Sequence, residues 1–162
     1  VEIDDAEAMS NLGGCYSQGS HGMPQDRTKA LELWHQTAEV GYAPSYYRIG
    51  VAYYRGVDVE RDEKKVYFYE LAAMGGVFEA RYNLGLHEGR AGNMDRALKH
   101  FLIAAGFGDN HSLDKIKQMF MNGLVTKDDY AIALQVYQAN LVEIKSPQRD
   151  EAAAFSDDYK YY

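Results

Sequence analysis

Cysteine and histidine are the side chains here that most directly suggest nucleophilic catalysis or metal binding. The chain has one cysteine, Cys15, and five histidines. No two histidines are four residues apart, and none joins Cys15 at the spacing of a metal site. Cys15 has no nearby histidine partner, so we interpret it as a small buried hydrophobe. We predict no catalytic residue, no metal and no cofactor, and we expect this protein not to be an enzyme. The histidines are interpreted as surface or core-edge residues: His21, His35, His87, His100 and His111.

Glycine-rich and charged segments could bind phosphate, but their context argues against it. Gly75-Gly76 and the segment 106–108 follow predicted helices, whereas a phosphate-binding loop follows a strand and opens a helix. The chain has 24 acidic and 17 basic residues, a net charge of −7. It lacks the basic stripe that phosphate backbones and anionic membranes attract, and no apolar run approaches about 18 residues. We predict no nucleic-acid partner and no membrane insertion.

The cysteine content also bears on the cellular compartment. A single cysteine excludes an internal disulfide, which favours a reducing environment. We expect an intracellular, cytoplasmic protein, with an organelle left open. Because the sequence starts at Val1 and not at methionine, we expect a processed form or part of a longer protein.

The segments that carry these residues form an internal repeat along the chain. An apolar residue is followed by glycine at 12–13, 49–50 and 84–85, and Ile116-Lys117 is a degenerate fourth copy. A small residue lies five positions before each copy, and an aromatic residue lies three positions after in three of the four. Small residues let helices approach closely, and aromatic rings fill the space between layers. Each unit is therefore predicted to begin with a helix.

The second half of each unit has its own signature. An aromatic residue follows a small or long-stemmed one by four positions in every unit, at Trp34, Tyr69, Phe101 and Tyr137. A glycine follows in the first three units, at 41, 76 and 108, where a helix can end in the left-handed conformation. In each case the glycine position of the next copy lies nine residues after this glycine. Such fixed spacing predicts helix pairs stacked in register.

These residues resemble the Sel-1-like repeat family, which is related to the tetratricopeptide repeat. The family motif is similar to Ala-x4-Leu-Gly-x2-Tyr-x2-Gly, a loop, Asp-x3-Ala and then Ala-Ala-x2-Gly. The resemblance is good over about 6–108 and partial over 109–145, where Lys117 replaces the glycine. The intervals Gly13–Gly50 and Gly50–Gly85, 37 and 35 residues, depart from a constant tetratricopeptide period of about 34. The segment after the last repeat resembles multi-repeat proteins of algae and other protists, some of which carry a RING-like segment.

The resemblance implies an all-α, right-handed superhelical solenoid of four helix-turn-helix repeats. We predict repeat units over about 6–41, 42–76, 77–108 and 109–145. A separate C-terminal helix is predicted over 146–156, with Ser146 as its N-cap and Pro147 in its first turn, covering the end of the stack. Residues 157–162 are predicted to be a flexible tail.

In related helical repeats the first helices line the concave face, and this places the candidate binding residues. Tyrosine suits such a surface because it offers a large ring and a hydroxyl. The alternative is that these side chains pack against neighbouring second helices, since one residue of helix phase decides the outcome. Tyr53 is expected to be buried in either case. The predicted partner-binding residues are Ser10, Tyr47, Val51, Tyr54, Tyr82, Leu86 and Asp114.

The resemblance also implies a function, a non-enzymatic scaffold or adaptor that holds a protein or peptide segment on its concave face. Two alternatives stay open. The chain could be a structural subunit of a multi-subunit assembly that contacts partners through its ends and its C-terminal tail. It could also be the interaction segment of a larger regulatory protein, such as a RING-like ligase.

Overall fold

A computed structural model describes residues 3–55 and 64–158, with side chains at 5–55 and 65–143. Within these ranges the chain forms helices and no strand. The helices are α1 (Ile3–Gln18), α2 (Arg27–Glu39), α3 (Ala43–Arg55), α4 (Lys64–Met74), α5 (Phe78–Arg90), α6 (Met94–Gly106), α7 (Asn110–Met121) and α8 (Lys127–Asp158).

The helix starts and ends follow the local sequence signals. Asp26 lies at the N-cap of α2, where its carboxylate accepts a hydrogen bond from the Lys29 amide at 2.8 Å. Gly41 and Gly76 follow α2 and α4 with φ of 83° and 88°, the left-handed conformation that glycine adopts without a Cβ clash. The turns that separate the helices were therefore predictable from residue type.

The C-terminal helix differs from the prediction of a separate element over 146–156. Helix α8 continues without a break from Lys127 to Asp158, through Ser146 and Pro147. A proline inside a helix removes one backbone hydrogen bond, but the helix-forming residues on both sides can sustain it. Of the predicted tail at 157–162, the first two residues belong to α8, and 159–162 lie outside the described residues.

The chain divides into two compact units, of which the first is Val1–His87. Within it α1 packs on α2, α2 on α3, and α3 on α4. One buried cluster joins α2 to α3 through Ala30, Trp34, Ala38 and Ile49. A second cluster joins α4 to α5 through Tyr69, Ala72, Ala73, Ala80 and Leu84. The core of this unit thus lies between successive helices, as stacked helix pairs require.

The repeated glycine makes room for the repeated aromatic ring. A Cβ on Gly13 would lie 2.6 Å from Trp34 Nε1, and a Cβ on Gly50 would lie 2.8 Å from ring carbons of Tyr69. Both rings are almost fully buried. The apolar–glycine signature therefore has a packing cause, because any larger residue would push the second helix away.

The first repeat departs from the others on one face of α1. Ala8 is exposed and Leu12 is 38% exposed, although Ser45 and Ile49 at the matching positions of α3 are fully buried. In α3 this face packs against the preceding helix, α2. The matching face of α1 thus stays exposed at Ala8 and Leu12.

The second unit is Glu88–Tyr162, where α6 packs on α7 and both pack on α8. Its core includes Ala97, Phe101, Ala104, Ile116 and Ala133. Two N-terminal caps fix the helix starts here. Asp109 caps α7 by accepting from the Ser112 amide at 2.9 Å, and Thr126 and Asp129 form a reciprocal cap at the start of α8.

Candidate partner-binding surface

Helix α3 brings three of the predicted binding residues onto adjacent turns. Tyr47, Val51 and Tyr54 are spaced by four and three residues, which places them on one side of a helix. All three are half-buried. Tyr47 and Val51 pack against the cluster that contains Tyr69. The side chains thus contact the core and keep an exposed part, and their role in binding stays a prediction. We call Tyr47, Val51 and Tyr54 the α3 face.

Tyr47 has an apolar ring contact and a polar environment at its hydroxyl. Its ring centroid lies 6.0 Å from that of Tyr69, with the planes tilted by 39°. Burial raises the pKa of Tyr47, and the Glu79 carboxylate raises it further. A hydrogen bond with the Asn83 side chain and the charge of Arg55 act in the opposite direction on this pKa. The hydroxyl stays protonated at neutral pH and can serve as a donor to a ligand.

The tyrosines of this region interact with one another and with nearby cations. Burial raises the pKa of Tyr69 most, and the neighbouring Tyr47 and Tyr54 add to that shift. The Lys65 ammonium lies 5.3 Å from the centroid of the Tyr54 ring, within the range of a cation–π contact. The three tyrosines and Lys65 thus form one group of interacting side chains.

The remaining predicted residues lie on other helices. Tyr82 and Leu86, on α5, are half-buried. Asp114, on α7 in the second unit, is exposed. Their place on a common surface with the α3 face stays a prediction.

The prediction that Ser10 lies on the binding surface is wrong. Its side chain is fully buried, and its Oγ accepts a hydrogen bond from Ser45 Oγ at 2.9 Å. Ser45 Oγ in turn lies 2.6 Å from Thr37 Oγ1. Ser10 and Tyr47 hold the same position in the repeat, but Ser10 is fully buried, whereas Tyr47 is half-buried against the cluster that contains Tyr69. The chain of three hydroxyls therefore belongs to the core of the first unit.

Tyr53, expected to be buried, is half-buried. It stacks on Phe68 with ring centroids 5.6 Å apart and planes 6° from parallel. The ring also packs against the cluster between α2 and α3. Its contacts are those of a core residue, although one part of the ring remains accessible.

A cleft of about 330 Å³ opens beside the α3 face. Val51 belongs to both, so the two features are continuous. Helices α1, α2 and α3 and the loop between α1 and α2 form its walls. The lining residues are Ser17, Gln18, Gln25, Arg27, Leu31, Trp34, Arg48, Val51, Ala52 and Arg55.

Three arginines lie among the residues that line this cleft. Arg27, Arg48 and Arg55 line it, and none of the described residues that line it is acidic. Arg48 donates to the Ser10 carbonyl at 2.7 Å and to the Asn11 side-chain oxygen at 2.9 Å. Both acceptors are neutral, so they position the guanidinium without cancelling its charge. We name this site the arginine cleft and define it by these three arginines, with Trp34 as an apolar wall.

Sequence reasoning missed the arginine cleft, although one signal was present. Counted from Arg48, the other lining residues of α3 come three, four and seven positions later, at Val51, Ala52 and Arg55. They therefore lie on one stripe of the helix. Our prediction followed the tyrosines on the neighbouring stripe. Only the packing of α3 beside α1 and α2 shows that the arginine stripe faces a cleft.

Cys15 has a histidine neighbour, contrary to the prediction. Its Sγ lies 3.6 Å from His21 Nδ1, which also lies 3.2 Å from Ser20 Oγ. The loop after α1 folds back and brings His21 to the end of that helix. Cys15 is half-buried, not fully buried. Among the residues that the structure describes, no three of His, Cys, Asp and Glu come together as a metal site.

The described helices include none that is both long enough and apolar enough to cross a membrane. A family model described as the Sel1 repeat matches residues 6–42, 43–77 and 78–106. Proteins with this repeat generally mediate protein–protein interactions.

One curated relative is Chitin synthase regulatory factor 3 of Schizosaccharomyces pombe, 37% identical over 81 residues. The match covers 49% of this chain and 9% of that protein. The chain therefore spans less than a tenth of that relative's length.

Two solved structures share the fold. A protective antigen of uropathogenic Escherichia coli with an SLR fold superposes with a TM-score of 0.69 at 28% identity, covering 88% of this chain and 33% of that one. A Sel1 repeat protein of Oxalobacter formigenes also superposes with a TM-score of 0.69, at 21% identity. That match covers 83% of this chain and 58% of the other. The predicted all-α helical-repeat solenoid is confirmed. A fourth repeat over 109–145 lies outside the ranges matched by the family model and stays a prediction.

Proposed function

Because this chain belongs to the Sel1 repeat family, we propose that it is a non-enzymatic adaptor that binds a protein or peptide segment on its α3 face. The observation that carries the proposal is the half-buried state of Tyr47, Val51 and Tyr54 on one side of α3. Tyrosines held by the core lose little conformational entropy on binding, and they offer ring area and a hydroxyl to a partner.

The proposed role is regulatory. The relative from Schizosaccharomyces pombe is named a regulatory factor, and 81 residues of this chain match it. We place the adaptor in the cytoplasm as part of a multi-subunit complex, with a protein and not a nucleic acid as its partner. The excess of acidic over basic residues supports a protein partner, because the net negative charge of the chain repels polyanions such as nucleic acids.

Peptide selection tests this proposal directly. Peptides from a displayed random library are selected on the wild-type chain, and their affinities are then measured for the Tyr54→Ala and Val51→Asp variants. Tyr67→Ala is the matched control, because Tyr67 is an exposed tyrosine on the neighbouring helix α4. We expect the α3-face variants to lose about tenfold or more in affinity. Thermal unfolding must show that each variant is folded.

The proposal is wrong if folded variants of the α3 face bind the selected peptides as tightly as the wild type. It is also wrong if Tyr67→Ala weakens binding as strongly as they do. In the first case the binding surface lies elsewhere on the chain. In the second case the loss reflects a general effect of removing a tyrosine.

A structural subunit is the second candidate function, and one observation favours it. Leu12 and Ala8 are exposed on α1. The matching face of α3 is buried against the preceding helix, α2. Another helical element could pack there and extend the stack. Loss of assembly in a Leu12→Asp variant or after removal of 157–162, with the α3-face variants unaffected, would favour this function over the adaptor.

A further inference from the structure

We propose that the arginine cleft binds the carboxylates of an acidic peptide segment, so that the partner of this chain carries aspartate or glutamate beside the residues that contact the α3 face. The inference rests on the proposed adaptor function and names the chemistry of the ligand. It follows from the charge, the geometry and the position of the cleft.

The charge of the cleft is the first argument. Arg27, Arg48 and Arg55 converge on one cleft in a chain whose acidic residues outnumber its basic ones by 24 to 17. Among the side chains described at 5–55 and 65–143, no carboxylate forms an ion pair with any of the three. Arginine is charged at any physiological pH. In the described part of the chain, the cleft therefore presents positive charge that no carboxylate pairs with.

The geometry of Arg48 is the second argument. Its Nη1 and Nη2 are held by the Ser10 carbonyl and the Asn11 side chain, at 2.7 and 2.9 Å. A guanidinium has five N–H donors in a planar fork, so about three remain for a ligand. Because α1 holds the group in place, a carboxylate that binds it does not have to order a mobile side chain. This arrangement suits a directed, charge-assisted hydrogen bond.

Position is the third argument. Arg55 lies at the junction of the two features, since it lines the cleft and its charge partly opposes the burial that raises the pKa of Tyr47 and Tyr69. Val51 belongs to both the cleft and the α3 face. One extended peptide can thus place an acidic side chain in the cleft and an apolar or aromatic one on the α3 face.

The size and walls of the cleft limit the ligand. A volume of about 330 Å³ accommodates one or two side chains, not a folded domain. Leu31, Trp34 and Ala52 give apolar walls against which the methylene groups of a glutamate can pack. The net charge of −7 disfavours a long polyanion, so a short acidic segment of a protein fits better than a nucleic acid.

Trp34 supplies the test, because it is the sole tryptophan of the chain and lines the cleft. Its fluorescence is followed while the wild-type chain is titrated with a glutamate-rich peptide whose two ends are blocked. The apolar spacers of this peptide contain no tyrosine. The same peptide with glutamine at every glutamate is the ligand control. We expect saturable quenching or a spectral shift with the acidic peptide alone, weakening as salt is added.

Charge-removing variants locate the site. We expect Arg27→Gln/Arg55→Gln to weaken binding of the acidic peptide by about tenfold or more. The matched control is Lys117→Gln/Lys127→Gln, which removes the same charge from exposed positions of α7 and α8. Equal binding of the glutamine peptide, or equal loss in the control variant, would overturn the inference. Binding of a phosphoserine peptide without binding of the glutamate peptide would also overturn it and assign the cleft to phosphorylated segments.

The same variants separate this inference from the adaptor proposal. If library-selected peptides lose affinity in the α3-face variants but not in Arg27→Gln/Arg55→Gln, the adaptor stands and the acidic ligand is wrong. If the glutamate peptide needs the arginines but no selected peptide needs the α3 face, the cleft binds carboxylates and the adaptor surface is wrong.

Discussion

A Cβ atom on Gly50 would lie 2.8 Å from two ring carbons of Tyr69, closer than packed carbon atoms approach. Gly50 belongs to the first helix of its repeat, α3, and Tyr69 to the second, α4. The pair therefore sets how closely the two helices of a repeat can pack. Gly13 and Trp34 do the same in the preceding repeat.

Replacing Gly50 with alanine should destabilise the first unit. Overpacking of a core costs about 1–3 kcal/mol, which exceeds the gain of about 0.5–1 kcal/mol from alanine in a helix. Gly89→Ala is the control, because its Cβ would lie 3.8 Å from Ala97 in ordinary contact. Denaturant unfolding should show a lower midpoint for Gly50→Ala and an unchanged or higher one for Gly89→Ala. Equal midpoints for the two variants would contradict this account of the repeat.

The chain of hydroxyls formed by Thr37, Ser45 and Ser10 should stabilise the contact between α1, α2 and α3. Ser45→Ala removes the central hydroxyl and leaves its buried neighbours with fewer partners, at a cost of about 1–3 kcal/mol. Because the two serines share one hydrogen bond, Ser10→Ala should cost less in the Ser45→Ala background than alone. A double-mutant cycle measured by urea unfolding checks this. Strictly additive effects would mean that the two hydroxyls act independently.

Tyr69 should make the first unit sensitive to alkaline pH. Its pKa is raised by burial, so the folded state keeps the phenol neutral where the unfolded state ionises. The resulting stability is fully present below about pH 10, the ordinary pKa of tyrosine, and is lost as the pH rises above it. Tyr47, whose pKa is raised as well, adds to the loss. Thermal midpoints from pH 8 to pH 11 should fall more steeply in the wild type than in Tyr69→Phe. Identical slopes would show that Tyr69 ionises in the folded chain as readily as in the unfolded one.

The start of α8 should show the opposite pH dependence. Asp129 accepts hydrogen bonds from Thr126 Oγ1 at 2.6 Å and from the Thr126 amide at 2.9 Å, and these lower its pKa. The stabilisation is present above the ordinary aspartate pKa and is lost as the pH falls through the lowered value. An NMR titration of the Asp129 side chain should place its midpoint below the ordinary value. Thr126→Ala should raise this midpoint, since it removes the hydroxyl donor, and an unchanged midpoint would show that the cap does not form in solution.

The sequence predicted the helices well because their signals are local. Gly41 and Gly76, predicted to end helices in the left-handed conformation, do so with φ of 83° and 88°. The break predicted at Ser146-Pro147 failed for a physical reason. A proline weakens one turn of a helix, but it stops a helix only when nothing sustains the next turn.

Only part of the candidate site could be predicted in the same way. The repeat determined that Tyr47 and Ser10 hold equivalent positions, but not that Ser10 is buried and bonded to Ser45 while Tyr47 keeps an exposed part. Side-chain length and the neighbouring helix decide this, and neither follows from periodicity. The proximity of Cys15 and His21 depends in the same way on the path of a loop.

What the sequence determined by itself, then, is a series of helix pairs, because turn glycines, N-caps and the glycine–aromatic pairing depend on residues near one another or at a fixed interval. What only the tertiary structure decided is which stripe of each helix faces a cleft. Arg48 reaches the Ser10 carbonyl across 38 residues of sequence, and this contact fixes one of the charges of the arginine cleft. A bond of that kind depends on how α3 packs beside α1, and helix packing is set by the sum of many weak contacts that no single motif encodes.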